Sequence, residues 1–380
     1  MPRHDFQIPV SFKHRVVFTR DAFGTGSGEL AAILREGGGS KALVFVEKAV
    51  AAAWPDLASK IDAFLGAESM DCGGVFVLPG GEAVKADDSL ARDVWAKIDA
   101  CHLDRHSYLF AIGGGAFLDA VGFAAATAHR GVRLLRFPTT TLSQDDSGVG
   151  VKCAINAFGK KNWLGSFAVP FAVVNDFRFL ESQDEAASRD GLVEAVKVAL
   201  VKDRGFFEWI EENAERLARL ERDAFENCVE RSALLHARHI AGGGDPFETG
   251  SSRPLDFGHW AAHKLEALSG YSLSHARAVS IGVALDTMYS VRCGMAPDGL
   301  AERVLAVLRK LGLPIHHPAL DERDPSGARL VFAGLDDFRE HLGGRLTVLM
   351  LEEVGRAKDV HELDRALLDG CIDGLRRAAG

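Results

Sequence analysis

Along the first half of the chain, short apolar runs alternate with longer stretches in which apolar residues recur at helical spacing. ALVFVEKAV, VFVLPG, SYLFAIGGG, VRLLRFPTT and FAVVNDF are rich in Val, Leu and Phe and are bounded by Gly, Pro or charge. Continuous apolar runs of that length predict strands covered on both faces. Residues 49–66, 83–101 and 116–129 between them predict helices. Such alternation implies a mostly parallel sheet with helices on both faces. After about residue 185 the strand signal fades. Residues 187–243, 257–269, 274–294 and 299–312 predict helices, with one late strand in LTVLMLEEVG (346–355). The expected class is therefore α/β: a parallel-sheet domain over residues 1–185, then a mainly helical domain over 186–380. The cleft between two such domains is a common place for a ligand.

A chain of 380 residues is long for a single core, which agrees with two domains. Its net charge of −9 argues against a nucleic-acid surface but leaves room for a locally basic site that takes an anionic small molecule. No apolar run approaches the ~20 residues that span a bilayer, so no membrane partner is expected. The opening MPRHDFQIPVSF lacks the basic-then-apolar order of a secretory signal. Cys72, Cys101, Cys153, Cys228, Cys293 and Cys371 show no CxxC spacing, and the expectation is free thiols in a reducing cytoplasm.

Several stretches carry chemistry. IGGGAFLD (112–119) follows a strand and opens a helix, where glycines admit a pyrophosphate to backbone N–H groups and the helix N-terminus. It is not GxGxxG, and the strand–turn–helix context is what raises its value. Glu47 ends ALVFVE, as a ribose acceptor of a dinucleotide site or as a solvated strand end; both remain open. The polar stretch PTTTLSQDDSGVGVKCAINAFGKKN (138–162) mixes Asp145, Asp146, Lys152, Lys160, Lys161 and Asn162 with glycines and shows no amphipathic pattern. It predicts a loop whose cations and amide neutralise phosphate while carboxylates position hydroxyls. Arg130 is a further phosphate candidate. GLVEAVKVAL (191–200) sets Glu194 and Lys197 at i, i+3 on an otherwise apolar helix, and a carboxylate buried there needs a cation. LDFGHWAAHKLE sets His259 and His263 at i, i+4 on one helix face. From residue types alone, one carboxylate plus two imidazoles among Glu194, Glu248, Asp256, His259, His263 and His275 would make an open Zn²⁺ site.

Together these blocks resemble the 3-dehydroquinate synthases and their sugar phosphate cyclase relatives. The resemblance rests on GGGAFLDAVGFAAATAHRGVRLLRFPTTTLSQDDSGVGVKCAINAFGKKNWLGSF, GLVEAVK, LDFGHWAAHKLE and LSHARAVSIG, in order from about residue 40 to 290. It implies a Rossmann-like N-terminal domain, a helical C-terminal domain, a homodimer, bound NAD and a divalent metal, zinc or cobalt. Carried over by motif, Glu194, His259 and His275 would hold the metal, and His263 would face the substrate instead. Asp146, Lys152, Asn162, Lys197, Glu248 and Asp256 would line the substrate site, with Arg130 reaching its phosphate across the dimer. Glu47, Glu82, Lys85, Gly114, Gly115, Asp119, Thr139, Thr140 and Lys161 would line the NAD site. The implied reaction is a closed redox cycle: oxidation of a hydroxyl, loss of phosphate by β-elimination, return of the hydride, ring opening and an intramolecular aldol step.

The chain departs from the synthases at SSRPLDFGH, where Ser252 stands at an Arg position and Asp256 at an Asn position. Exchanging a cation for Ser and an amide for a carboxylate disfavours a carboxylated substrate. RP-x-D-x-GH is similar to cyclases of sedoheptulose 7-phosphate, although those typically lack the second histidine. The usual HGE has become His275-Ala276-Arg277, and DDFREHLGG (336–344) stands where synthases have DKK, with Arg339 or His341 as substitutes. The substrate expectation is a seven-carbon ketose phosphate such as sedoheptulose 7-phosphate. The alternatives are 3-dehydroquinate synthase itself, a metal-dependent alcohol or glycerol dehydrogenase, or a homologue kept only for binding.

Overall fold

Residues 3–24, 28–158, 160–243, 245, 247, 254–341 and 344–380 are described by a computed structural model, excluding the side chains of Pro254 and His341. Two compact units interleave along the chain. The first comprises residues 1–138 and 150–176, the second residues 139–149 and 177–380.

The first unit is built on six parallel strands: β1 (Val16–Thr19), β2 (Lys41–Glu47), β3 (Asp71–Leu78), β4 (Tyr108–Gly113), β5 (Arg133–Pro138) and β8 (Ala172–Asp176). They lie in the order β1-β8-β5-β4-β2-β3, and every pairing is parallel. All six residues of β4 and the middle of β2 are buried, as their uninterrupted apolar runs require. Helices α1 (Gly28–Gly37), α2 (Lys48–Ala53), α3 (Leu57–Ala67), α4 (Ser89–Ala100) and α5 (Gly115–Thr127) complete the layers. The helix expected over 49–66 is divided, because Pro55 moves Trp54 out of helical geometry. The direction of the sheet order reverses between β2 and β4, whose carboxyl ends carry Glu47 and Gly113–Gly114. Ligands of doubly wound sheets bind at that switch point.

The stretch expected as one polar loop contains a hairpin, β6 (Lys152–Ala157) and β7 (Lys160–Phe167). Cys153 and Ile155 alternate inward to pack with Ala120, Val121 and Ala124 of α5 in one cluster. Two buried positions at period two, diluted by lysines and glycines, do not read as a strand.

The second unit is helical: α6 (Glu185–Lys202), α7 (Arg204–Ala218), α8 (Arg222–Gly242), α9 (His259–Leu268), α10 (His275–Arg292), α11 (Leu300–Lys310), α12 (Ala333–His341) and α13 (Arg365–Ala379). The late strand is real, pairing antiparallel as β9 (Val348–Glu353) with β10 (Arg356–Val360). No helix among the described residues is long and apolar enough to cross a membrane, and the six cysteines are free.

Candidate active site

Helix α6 begins where Asp184 accepts the backbone N–H groups of Ala186 (2.8 Å) and Ala187 (3.1 Å). From Gly191 to Val201 every residue is buried, so Glu194 and Lys197 leave water together. Their ion pair is closed, and Lys197 Nζ lies 3.9 Å from Asp146 Oδ1. Burial opposes the ammonium charge, but Asp146 and Glu194 outweigh it and hold the Lys197 pKa above the ordinary lysine range. Asp256 adds to that field. Burial also opposes the Asp146 charge, yet Lys197 and His236, whose Nδ1 lies 2.7 Å from Asp146 Oδ1, keep it well below the usual carboxylate range. Glu194 is raised, because burial exceeds what Lys197 returns. Asp146 sits in a π-helical turn, Ser143–Ser147, that belongs to this unit and abuts α8. Its neighbour Asp145 is fully buried, and neither carboxyl oxygen has a hydrogen-bond partner among the described residues. Burial, Asp146 and Glu194 push its pKa well above the ordinary aspartate value, against the opposing pull of Lys197.

Three donor atoms of Glu194, His259 and His275 lie within 4.8 Å of one another, from three helices. His259 Nδ1 is 3.2 Å from the Phe257 carbonyl oxygen, which can only accept, so Nδ1 carries the proton and Nε2 keeps its lone pair. Burial, Lys197 and His263 drive the His259 pKa well below the usual value, leaving a neutral imidazole. His275 Nδ1 is 2.6 Å from Glu266 Oε1. A carboxylate on the far nitrogen fixes a ring for ligation through Nε2. This buried carboxylate, flanked by two oriented imidazoles, fits a divalent zinc-type ion with open positions. His263, Glu266 and His275 also come within 4.8 Å, but Glu266 is already committed to His275 Nδ1, so this second group reads as support for the first. The His263 ring stands 5.5 Å from that of His259 and 5.9 Å from that of His275, and the residue is exposed.

In the first unit, Glu47 joins the ends of three strands. Its Oε2 accepts the Gly114 N–H at 2.7 Å and its Oε1 the Gly81 N–H at 3.1 Å. A Cβ on Gly113 would come within 2.6 Å of Phe117 and 2.8 Å of Glu47 Oε2, so the turn needs glycine. The start of α5, with Gly114 and Gly115, therefore presents backbone at the switch point, which fits a dinucleotide pyrophosphate. Lys85 and Asp119 form a largely buried pair at 2.6 Å, and Lys161 Nζ lies 3.9 Å from Glu82 Oε1. Thr139 is buried and Thr140 bonds Ser143, both in the second unit. Lys152 and Asn162 are exposed residues of β6 and β7. Arg130 is exposed at the end of a 3₁₀ turn with φ 63°, next to His129 at φ 51°.

Models of 3-dehydroquinate synthase match the chain in sequence, the N-terminal one over residues 75–190 and the C-terminal one over 191–328. The 3-dehydroquinate synthase of Geobacillus thermodenitrificans is 35% identical over 344 residues, 90% of each chain. That of Pseudomonas aeruginosa is 35% identical over 304 residues, 78% of each. The chain belongs to the 3-dehydroquinate synthase-like sugar phosphate cyclase family. Among solved structures, the 2-epi-5-epi-valiolone synthase ValA of Streptomyces hygroscopicus, with NAD⁺ and Zn²⁺ bound, superposes with a TM-score of 0.86 at 25% identity, covering 99% of this chain and 100% of that one. A 2-deoxy-scyllo-inosose synthase with carbaglucose-6-phosphate, NAD⁺ and Co²⁺ superposes at 0.77 and 19% identity, covering 94% and 95%; that likeness is one of fold.

Within this cyclase-family enzyme, Asp146, Glu194, Lys197, Asp256, His259, His263 and His275 all belong to the helical unit. Glu248, Ser252 and Arg253 lie outside the described residues. Sequence reasoning missed His236, Glu266 and Asp286. Glu266 was within reach, since it follows His259 by seven and His263 by three residues and so shares their helix face. His236 carries no local signal. Asp286 is a lone acid in a helix with fourteen buried residues, the same signal that exposed Glu194.

Proposed function

We propose that this enzyme eliminates phosphate from a seven-carbon ketose phosphate without a carboxylate, such as sedoheptulose 7-phosphate, and closes the product to a carbocycle. Asp256 carries the substrate choice. It stands where the synthases have Asn, and it contributes to the acidic field around Lys197 together with Asp146 and Glu194. A substrate carboxylate brought there meets like charge. The likeness to the valiolone synthase supports this reading.

When bound, NAD would supply the hydride acceptor and donor, and a zinc or cobalt ion the Lewis acid. Glu194, His259 and His275 would hold the ion, the histidines with Nε2 free for it because Nδ1 is engaged by the Phe257 carbonyl and by Glu266. Ionised Asp146, braced by His236, accepts a hydrogen bond from a substrate hydroxyl, while charged Lys197 donates one to a substrate oxygen. His263 faces the substrate, and Lys152, Asn162 and Glu248 bind it, with Arg130 of a second subunit of a homodimer on the phosphate. Glu47, Glu82, Lys85, Gly114, Gly115, Asp119, Thr139, Thr140 and Lys161 form the NAD site.

A second reading, 3-dehydroquinate synthase, is favoured by the 35% identity to such enzymes. Phosphate release from sedoheptulose 7-phosphate and from the carboxylated heptulosonate phosphate, measured on the same pure enzyme, separates the two. Faster release from the carboxylated sugar overturns the first. Sustained NADH formation from a simple alcohol overturns both.

A further inference from the structure

The two histidines of the metal group come from α9 and α10, and the contact between these helices depends on one buried carboxylate. Asp286 lies on α10, fully buried. Its Oδ2 accepts the Gly258 N–H at 3.0 Å, and its Oδ1 accepts the indole Nε1–H of Trp260 at 2.8 Å. One side chain thus grips the residue before His259 and the residue after it. His259 is the first residue of α9, where backbone N–H groups lack intrahelical partners and the chain direction is least constrained. Gly258 enters the helix at φ 81°, in the left-handed region, with no side-chain cap of its own.

The spacing on α10 makes the grip geometrically specific. His275, Gly282 and Asp286 stand at i, i+7 and i+11, on one face of that helix. Gly258 and Gly282 meet backbone to backbone: a Cβ on Gly282 would overlap the Gly258 carbonyl oxygen, and one on Gly258 would come within 2.6 Å of the Val283 nitrogen. Helix α10 therefore offers His275 from its first residue and, three turns on, locks the segment that carries His259. The ring centroids of the two histidines lie 5.4 Å apart.

We propose that Asp286 is a positioning residue for metal binding, setting the direction of His259 relative to His275 through its simultaneous hold on Gly258 and Trp260. It touches neither substrate nor metal. The proposal rests on Glu194, His259 and His275 being the metal group, and the experiment separates the two claims.

The probe is Co²⁺ added to the metal-free full-length enzyme, with affinity from titration and ligand geometry from its visible absorption. Wild type, Glu194→Ala, Asp286→Asn, Trp260→Phe and the Asp286→Asn/Trp260→Phe double variant are compared well below their melting temperatures. An Asn at 286 keeps the shape but sets an amide N–H against one of the two donors. Asp286→Asn should bind Co²⁺ at least about tenfold more weakly, as orienting-group losses usually do, with a changed spectrum. Trp260→Phe should weaken binding less. The double variant should recover most of the Asp286→Asn loss, because removing the indole N–H relieves the donor–donor clash. If Asp286→Asn melts lower yet matches wild type in affinity and spectrum, Asp286 supports only the fold and the proposal falls. If that variant does not fold, an unchanged Co²⁺ affinity in Trp260→Phe overturns it. If wild type binds no Co²⁺, or Glu194→Ala binds it equally well, the metal group itself is wrong, and the proposal falls with it.

Discussion

Lys197 is the cation on which the metal-free helical unit depends, and Lys197→Met isolates that role. Its side chain is 2% exposed and Glu194's 1%, and the two are in contact. Methionine fills a similar volume without charge. Asp146 retains His236 at 2.7 Å, but Glu194 loses its charge partner while its side chain stays buried. Breaking a buried pair from one side costs about 3–5 kcal/mol. For a domain of about 150–250 residues each kcal/mol shifts the midpoint by roughly 2–4 °C, so a fall of about 6–20 °C is expected. Thermal unfolding of the chelator-treated protein, followed by circular dichroism, measures it. The control is Glu194→Gln/Lys197→Met, in which no ionised group is stranded at 194. Removing both partners is far less costly than removing one, so the double variant should be more stable than Lys197→Met alone. A Lys197→Met midpoint within about 3 °C of wild type would refute the reasoning. So would a double variant that loses the sum of the two single effects.

Glu194→Ala and His275→Ala should each abolish bound metal and turnover, whereas His263→Ala should keep metal near wild type and slow the reaction. Metal content by atomic emission beside phosphate release tests this, and loss of metal in His263→Ala would contradict the division of labour. Asp286 gives a pH signature. Burial pushes its pKa up to about 7 despite the Trp260 and Gly258 hydrogen bonds, against about 3.9 in an unfolded chain. The folded state thus binds the proton more tightly, and the stability it adds is complete below about pH 4 and lost as pH rises to about 7. Relative to Asp286→Asn, wild-type unfolding free energy should fall by about 1.4 kcal/mol per pH unit across that window and level off above it. Urea titrations at four pH values check the slope; a flat difference would show that Asp286 does not hold a proton.

The parallel sheet was legible because β2 and β4 are buried on both faces, and burial on both faces writes itself as an unbroken apolar run. The hairpin over 152–167 was not. All eight residues of β7 are exposed, and of β6 only Cys153 and Ile155 are buried. A ribbon held by two side chains has no pattern to read. The break between α6 and α7 was hidden for a different reason. Asp203 ends one helix and caps the next, accepting the Phe206 N–H at 2.9 Å, so apolar spacing runs through the junction with little interruption.

The HWAAH stretch shows what spacing can and cannot decide. His259 and His263 share a helix face, and spacing alone would give both to one ion. The partners that distinguish them come from elsewhere in the chain. Glu194 approaches from α6 and His275 from α10, with donor atoms within 4.8 Å of a His259 nitrogen, while Lys197 and burial keep His259 neutral. His263 shares its donor group with Glu266 and His275 instead, and Glu266 spends an oxygen on His275 Nδ1 at 2.6 Å. The asymmetry between two equivalent-looking imidazoles thus resides in α6 and α10. Within α9 its trace is Glu266, whose acidity makes it an orienting group for a ring nine residues away.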